Sequence, residues 1–324
     1  MSNVPSDQPK SGSRPSAGYG LINLVQAFTS RIQLKGLPRI LWATHSVFQR
    51  ADNIYPICNR LRLKIDGEQL YQWLNVVNYG GYDIVMLLEQ LLKPGDVFID
   101  AGANIGFMSM NAARIVGPDG KVLAFEPEPR VRAQFTENIA LNDIRNIEIV
   151  PMALGKESGT AVLRVATDHG LSRLDDGSGR VNPGMILVEK IDVPITTLDQ
   201  VFEEKLGGKA PRVVKMDIEG SEWWAFSGAH KLLKKGETIF IFENNYGALA
   251  HNGASFVDIH KLLGENDYDV FTLNAHTADW FRIGRSPTLE TIADVGACAL
   301  RSLDAIAIPR ARRKELGRLI PDFR

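Results

Sequence analysis

The sequence predicts a doubly wound α/β domain with a mostly parallel sheet. Two observations point there. From Tyr82 onward, helix-length apolar patterns alternate with short β-branched runs, the rhythm of strands joined by crossover helices. One of those runs, Val97-Phe98-Ile99-Asp100-Ala101, passes directly into the turn Gly102-Ala103-Asn104-Ile105-Gly106, which opens a helix. Open α/β sheets bind ligands at such strand ends. With 324 residues, 44% of them hydrophobic, the chain has ample material for the core this requires.

In chain order, residues 1–18 are rich in Ser, Pro and Gly and offer few large apolar side chains to offset the entropy of ordering, so a disordered tail is expected. Residues 19–78 read as an N-terminal cover. It comprises a helix, a break at Pro38, a short helix over Ile40 to Phe48, and a strand through Leu61, Leu63 and Ile65. The main domain is expected over residues 79–310. Its helix Tyr82 to Leu92 stops at Lys93-Pro94-Gly95, strand Asp96 to Ala101 follows, and helix Ile105 to Ile115 leads to strand Lys121 to Phe125. Val131, Phe135 and Ile139 share a helical face before strand Ile147 to Val150.

The rhythm then changes. Ala161 to Val165 and Met185 to Val193 alternate like strands around a Gly- and Asp-rich stretch, Thr167 to Gly184, which predicts a β insertion carrying a long loop. The α/β pattern returns with strand Arg212 to Asp217, helix Ser221 to Lys234, strand Thr238 to Glu243, helix Phe256 to Leu263, strand Tyr268 to Leu273 and strand Ala305 to Ile308. Residues 311–324 form a basic tail, and Arg310 to Lys314 reads as a solvated helix.

A net charge of −1, from 37 basic and 38 acidic residues, gives no bulk electrostatic reason to expect nucleic acid as a partner. Two cysteines, Cys58 and Cys298, suggest neither a zinc cluster nor a disulfide framework. No signal peptide or membrane-spanning run is present in the sequence, so a cytoplasmic location is expected. Leu21, Ile22, Leu24, Val25 and Phe28 recur at helical spacing, which suits packing on the protein's own domain better than a membrane surface.

The glycine turn carries the chemistry. A dinucleotide-binding turn would place glycine at 102, 104 and 107, where this chain has Gly102, Asn104 and Phe107. Gly102 and Gly106 suit close backbone approach, and Asn104 adds a side-chain hydrogen-bonding group. A carboxylate at Asp100 suits a ligand with an ammonium group, which S-adenosylmethionine has. Twenty residues past Gly106, Glu126-Pro127 ends the next strand with an acid able to accept bonds from two ribose hydroxyls.

These runs, with Met152-Ala153-Leu154-Gly155, Val193-Pro194-Ile195-Thr196-Thr197-Leu198-Asp199 and Lys215-Met216-Asp217-Ile218-Glu219-Gly220-Ser221-Glu222, resemble the FkbM-type methyltransferases in order and content. Asp83 departs from the pattern, which often has Glu after an aromatic at that place. The resemblance implies a seven-stranded, Rossmann-like class I fold and S-adenosylmethionine as methyl donor. It also implies an acceptor hydroxyl on a sugar, glycan or secondary metabolite. It assigns Asp100, Gly102, Ala103, Asn104 and Gly106 to the methionine half, Glu126 and Pro127 to the ribose, and Met152 and Ala153 to the adenine.

An alcohol acceptor must be positioned and lose its proton. Asp217, ending the fourth predicted strand, is the first candidate base, with His251 and His169 as alternatives. Glu243-Asn244 ends the fifth, and with Asp217 is similar to the oxygen-donor set that holds Mg²⁺ in catechol-type O-methyltransferases. Competing readings are a nicotinamide-dependent oxidoreductase and an inactive methyltransferase-like partner protein. Oligomeric state is left open.

Overall fold

The computed structural model describes residues 17–29, 32–34, 37–43, 45–48, 51–175, 177, 186–273, 281–283, 289–300, 302–317 and 319. The expected tail lies outside the described residues up to residue 16, and so do residues 176 and 178–184 of the expected long loop and residues 318 and 320–324 of the basic end.

Eight strands form the central sheet: β1 (Val97–Ala101), β2 (Lys121–Phe125), β3 (Ile147–Val150), β4 (Val213–Met216), β5 (Ile239–Asn244), β6 (Tyr268–Leu273), β7 (Leu289–Thr291) and β8 (Leu303–Pro309). Their spatial order is β7-β6-β8-β5-β4-β1-β2-β3. Pairing is parallel from β5 across to β3 and antiparallel through β8, β6 and β7. The seven expected strands are all present, and β7 adds a short edge strand.

The period-two alternation of each strand sorts its apolar residues onto two cores. Phe98, Val122, Val213, Ile239, Ile241 and Ile306 face the helices Tyr82–Leu91 and Phe107–Val116 and the cover residues Leu61, Leu63 and Trp73. Ile99, Leu123, Val214, Met216, Phe240 and Phe242 face Phe226, Leu232, Phe256 and Ile259 on the other side. Each such buried side chain contributes roughly 1.5–3 kcal/mol relative to exposure. Every residue of β1 is buried, as expected of a strand covered on both faces.

The register positions the site. Ala101 pairs with Met216 on one side and with Phe125 on the other, so β1, β2 and β4 end level. The chain runs from β1 outward to β2 and β3 on one side and then crosses back to β4 on the other side of β1, and a crevice opens at this reversal of strand order. Gly102, Glu126 and Asp217 are the next residues along each strand.

The insertion forms its own sheet. Gly159–Ala166 and Leu187–Thr196 pair antiparallel, with Ala153–Leu154 and Arg173–Leu174 at the edges. Asp175 clamps it through Arg164 Nη2 at 2.5 Å and Lys190 Nζ at 2.7 Å. The helix expected over Ser221 to Lys234 is instead two, Glu222–Ser227 and His230–Lys235. It breaks at Gly228, where any Cβ would collide with the Gly155 carbonyl oxygen.

Pro38 stands in the first turn of the helix Leu37–Ala43, which needs no N–H from it, and the segment expected as one short helix over Ile40 to Phe48 is this helix followed by the 3-10 turn His45–Phe48. In the cover, Arg62–Lys64 pairs with Ile54–Pro56. Its other edge meets Asn138 and Asn142, four residues apart on the helix Pro129–Leu141 and its cap. Lys64 N donates to Asn138 Oδ1 at 2.7 Å and Arg62 N to Asn142 Oδ1 at 2.8 Å. The apolar residues of helix Ala17–Thr29 divide: Ile22 is buried, whereas Leu24 is 68% exposed. The basic end is anchored rather than free, because Arg310 reaches Asp267 at 3.1 Å and Asp269 at 3.2 Å, and Arg313 also reaches Asp269. No described helix is long and apolar enough to cross a membrane.

Candidate active site

Two cavities open at the ends of β1, β2, β4 and β5. The first is bordered by Gly102, Asn104, Glu126, Pro127, Met152 and Ala153, together with His169, Ser172 and Arg173 of the insertion. It therefore gathers six of the nine residues the sequence assigned to a nucleoside ligand. Glu126 is 7% exposed. Its Oε2 accepts from Asn104 N and its Oε1 from Glu128 N, both at 2.9 Å, so the glycine turn itself fixes the carboxylate. Burial pushes Glu126 up to about 7, against the pull of those two N–H groups. Each carboxylate oxygen keeps acceptor capacity for a ligand hydroxyl.

The turn is built on left-handed backbone at Gly102 (φ 76°), Asn104 (φ 51°) and Gly106 (φ 91°). What needs the missing side chains is protein. A Cβ on Gly102 would strike the Asp217 carbonyl oxygen, and one on Gly106 would enter the Phe135 ring. Gly106 borders neither cavity and Ala103 borders only the second. The Asn104 side chain is engaged internally: its Oδ1 accepts from Tyr71 Oη at 2.6 Å and from Ile105 N at 2.7 Å.

Asp100 is not open to either cavity. It is fully buried, its Oδ2 accepts from Ser109 Oγ at 2.6 Å, and its Oδ1 lies 3.9 Å from Lys215 Nζ. Direct contact with a ligand ammonium is thereby corrected, because β1 directs this side chain under the turn. Desolvation raises its carboxyl above the usual range, with Lys215 and Ser109 opposing.

The second cavity lies beneath the cover. It is bordered by Tyr71, Asn75, Gly80 and Gly81, by Ala103 of the turn, and by Asp168, Lys215, Asp217, Glu219, Glu243 and Asp304. The polar row follows from register. Lys215 pairs with Asp100, and Glu243 with Asp304, so the face that packs Phe98, Val213, Ile241 and Ile306 farther back becomes charged at its rim. Lys215 Nζ donates to Asp217 Oδ2 at 3.2 Å. Burial opposes the Lys215 charge, but Asp217 and Asp100 outweigh it and hold the ammonium above its ordinary range.

Gly102, Asn104, Gly170, Asp217 and Glu219 border both cavities and mark the passage between them. Asp217 is 46% exposed there, so one carboxylate oxygen is available beside the one Lys215 holds.

The expected metal set is not assembled. Asn244 faces the opposite side of β5 from Glu243, fully buried, with its amide donating to the Cys298 carbonyl at 2.9 Å. Carboxylate oxygens of Asp217, Glu219 and Glu243 do lie within 4.8 Å of one another, but beside the Lys215 ammonium. Burial and the surrounding acids, Asp217 first among them, push Glu243 up to about 10. His169 Nδ1 contacts Glu128 Oε1 at 2.7 Å and is thus engaged on the first cavity's wall. His251 ends the helix Tyr246–His251, and its side chain lies outside the described residues. Lys215, Tyr71 and Arg173 are site residues to which the sequence reading gave no role. Lys215 carried a signal, since a residue two before Asp217 on a strand shares its face.

The methyltransferase FkbM domain profile matches residues 100–270. The hexuronic acid methyltransferase AglP of Haloferax volcanii is 26% identical over 213 residues, 64% of this chain and 77% of that protein. The 2-O-methyltransferase NoeI of Sinorhizobium fredii is 26% identical over 165 residues, 48% of this chain and 65% of that protein. Among solved structures, an S-adenosylmethionine-dependent O-methyltransferase from Thermotoga maritima is 16% identical with a TM-score of 0.33, covering 71% of this chain and 64% of that one.

Proposed function

Because the chain belongs to the FkbM methyltransferase family and is an S-adenosylmethionine-dependent methyltransferase, we propose that it methylates a hydroxyl group on a sugar, glycan or secondary metabolite. The observation that carries this reading is the meeting of two cavities at Asp217. The first offers a fixed carboxylate at Glu126 and apolar flanks at Met152 and Ala153, which fit a ribose and an adenine. The second lies under the cover, sets the row Asp168, Asp217, Glu219, Glu243 and Asp304 against apolar walls from Leu74, Ile84, Phe107 and Met108, and suits a hydroxylated acceptor. The printed activities of AglP and NoeI, a hexuronic acid methyltransferase and a 2-O-methyltransferase, support a sugar hydroxyl.

S-adenosylmethionine, when bound, supplies a methyl group made electrophilic by its cationic sulfur. The chain supplies position and a proton acceptor. Glu126, held by Asn104 N and Glu128 N, receives the ribose hydroxyls, and Pro127 ends β2 so that this carboxylate faces the crevice. Asp217 takes the acceptor's proton through the oxygen that Lys215 leaves open, and Lys215 holds the carboxylate in place. The Lys215 ammonium offsets part of the charge of the acidic group, in which burial and neighbouring acids raise the carboxyls of Glu219 and Glu243.

Transfer of labelled methyl from S-adenosylmethionine to a panel of sugars and hydroxylated metabolites tests the activity. Asp217→Ala is expected to lower turnover on the order of 10²–10⁴-fold, the usual worth of a general base, while leaving S-adenosylhomocysteine affinity nearly unchanged. A variant that turns over normally, or loses only cofactor affinity, removes Asp217 from this role. Exhaustive chelation is expected to leave turnover unchanged. A loss restored by Mg²⁺ would return the carboxylates to metal binding.

A further inference from the structure

Five residues border both cavities, and two of them, Asp217 and Glu219, are acids. Asp217 is already paired with Lys215. Glu219 differs: its Oε2 is shut off from solvent and has no hydrogen-bond partner among the described residues. Burying a carboxylate without a partner is costly, so such a group is completed by what binds next to it. The passage that Glu219 flanks leads away from Glu126, the direction in which the methionine part of a cofactor with its ribose on Glu126 must extend. That part carries one ammonium, and Asp100, the acid the sequence offered for it, is closed off by Ser109 and Lys215.

We propose that Glu219 receives the ammonium group of the methionine moiety of S-adenosylmethionine, leaving Asp217 to the acceptor. This rests on the cofactor lying across both cavities as described above. The groups facing Glu219 are Asp217 on its own turn, Glu222 on the following helix, Glu243 on β5, and Asp168 and Arg173 from the insertion. Burial and the acidic neighbours raise its carboxyl well above the ordinary range, with Arg173 opposing. An ammonium placed against it would favour the ionised carboxylate and supply the partner that Oε2 lacks.

The test is titration calorimetry with S-adenosylhomocysteine and with its analogue lacking the α-amino group. The wild type is expected to prefer the amine-bearing ligand by about 30-fold, the worth of one charge-assisted contact. Glu219→Gln is expected to bind the two ligands alike, whereas Glu219→Asp keeps part of the preference. Retention of the full preference in Glu219→Gln, or equal weakening of both ligands, overturns the proposal. Loss of the preference in Asp100→Asn alone would return the ammonium to Asp100. Failure of the wild type to bind S-adenosylhomocysteine at all would instead contradict the cofactor site itself.

Discussion

Glu126 and Glu222 are buried acids steadied by backbone N–H groups, Glu222 through Ile218 N at 2.9 Å. Both are raised from an ordinary 4.5 to about 7, chiefly by burial. The sign follows: between those values the folded chain binds more protons than the unfolded one, so stability falls as pH rises from about 4.5 to about 7 and stays lowered above. Glu222→Gln keeps the acceptor and removes the titration. It is expected to flatten that fall and to stabilise the protein at pH 8 by on the order of 1–3 kcal/mol, read from denaturant melts across pH. An unchanged profile would count against the burial argument. At this scale Glu126, Met152, Ala153 and Asp217 were legible because each stands at a strand end. The closure of Asp100 and the turning away of Asn244 were not, because a strand's residues alternate faces and the sequence does not say which face the crevice takes.

Among the elements, the glycine turn was recognised for its residues, but its glycines answer first to protein packing. This separates two substitutions at left-handed positions. Gly236 (φ 65°) has nothing within 4 Å of a new Cβ, so Gly236→Ala is expected to cost only about 1 kcal/mol of conformational strain. Gly106 (φ 91°) has the Phe135 ring where the Cβ would go, so Gly106→Ala adds overpacking and is expected to cost about 3 kcal/mol or more. Equal losses in thermal melts would show that Phe135 yields freely. Gly228 shows the same limit on legibility. An apolar helical pattern ran through it, but a non-local contact with Gly155 splits the helix. The cover's edge strand is likewise completed by Asn138 and Asn142, 74 and 80 residues beyond the residues they meet, which no local pattern announces.

Over the whole molecule, the alternation of strand and helix specified the sheet and the position of its crevice, because a parallel core leaves few arrangements. What the alternation does not specify is what roofs the crevice. The Tyr71 contact to Asn104 and the Asp168 wall bring distant segments to the second cavity, as Arg173 does to the first. Adenosine on one side, acceptor on the other and Asp217 between them is the arrangement on which the functional account rests. Its most direct test is calorimetric titration of S-adenosylhomocysteine into the wild type and into Glu126→Ala. The account predicts saturable one-to-one binding to the wild type and roughly 10-fold or greater weakening in the variant, as loss of a charged hydrogen-bond acceptor implies. Equal affinity in the two proteins, or binding of NADH with none of S-adenosylhomocysteine, would contradict it.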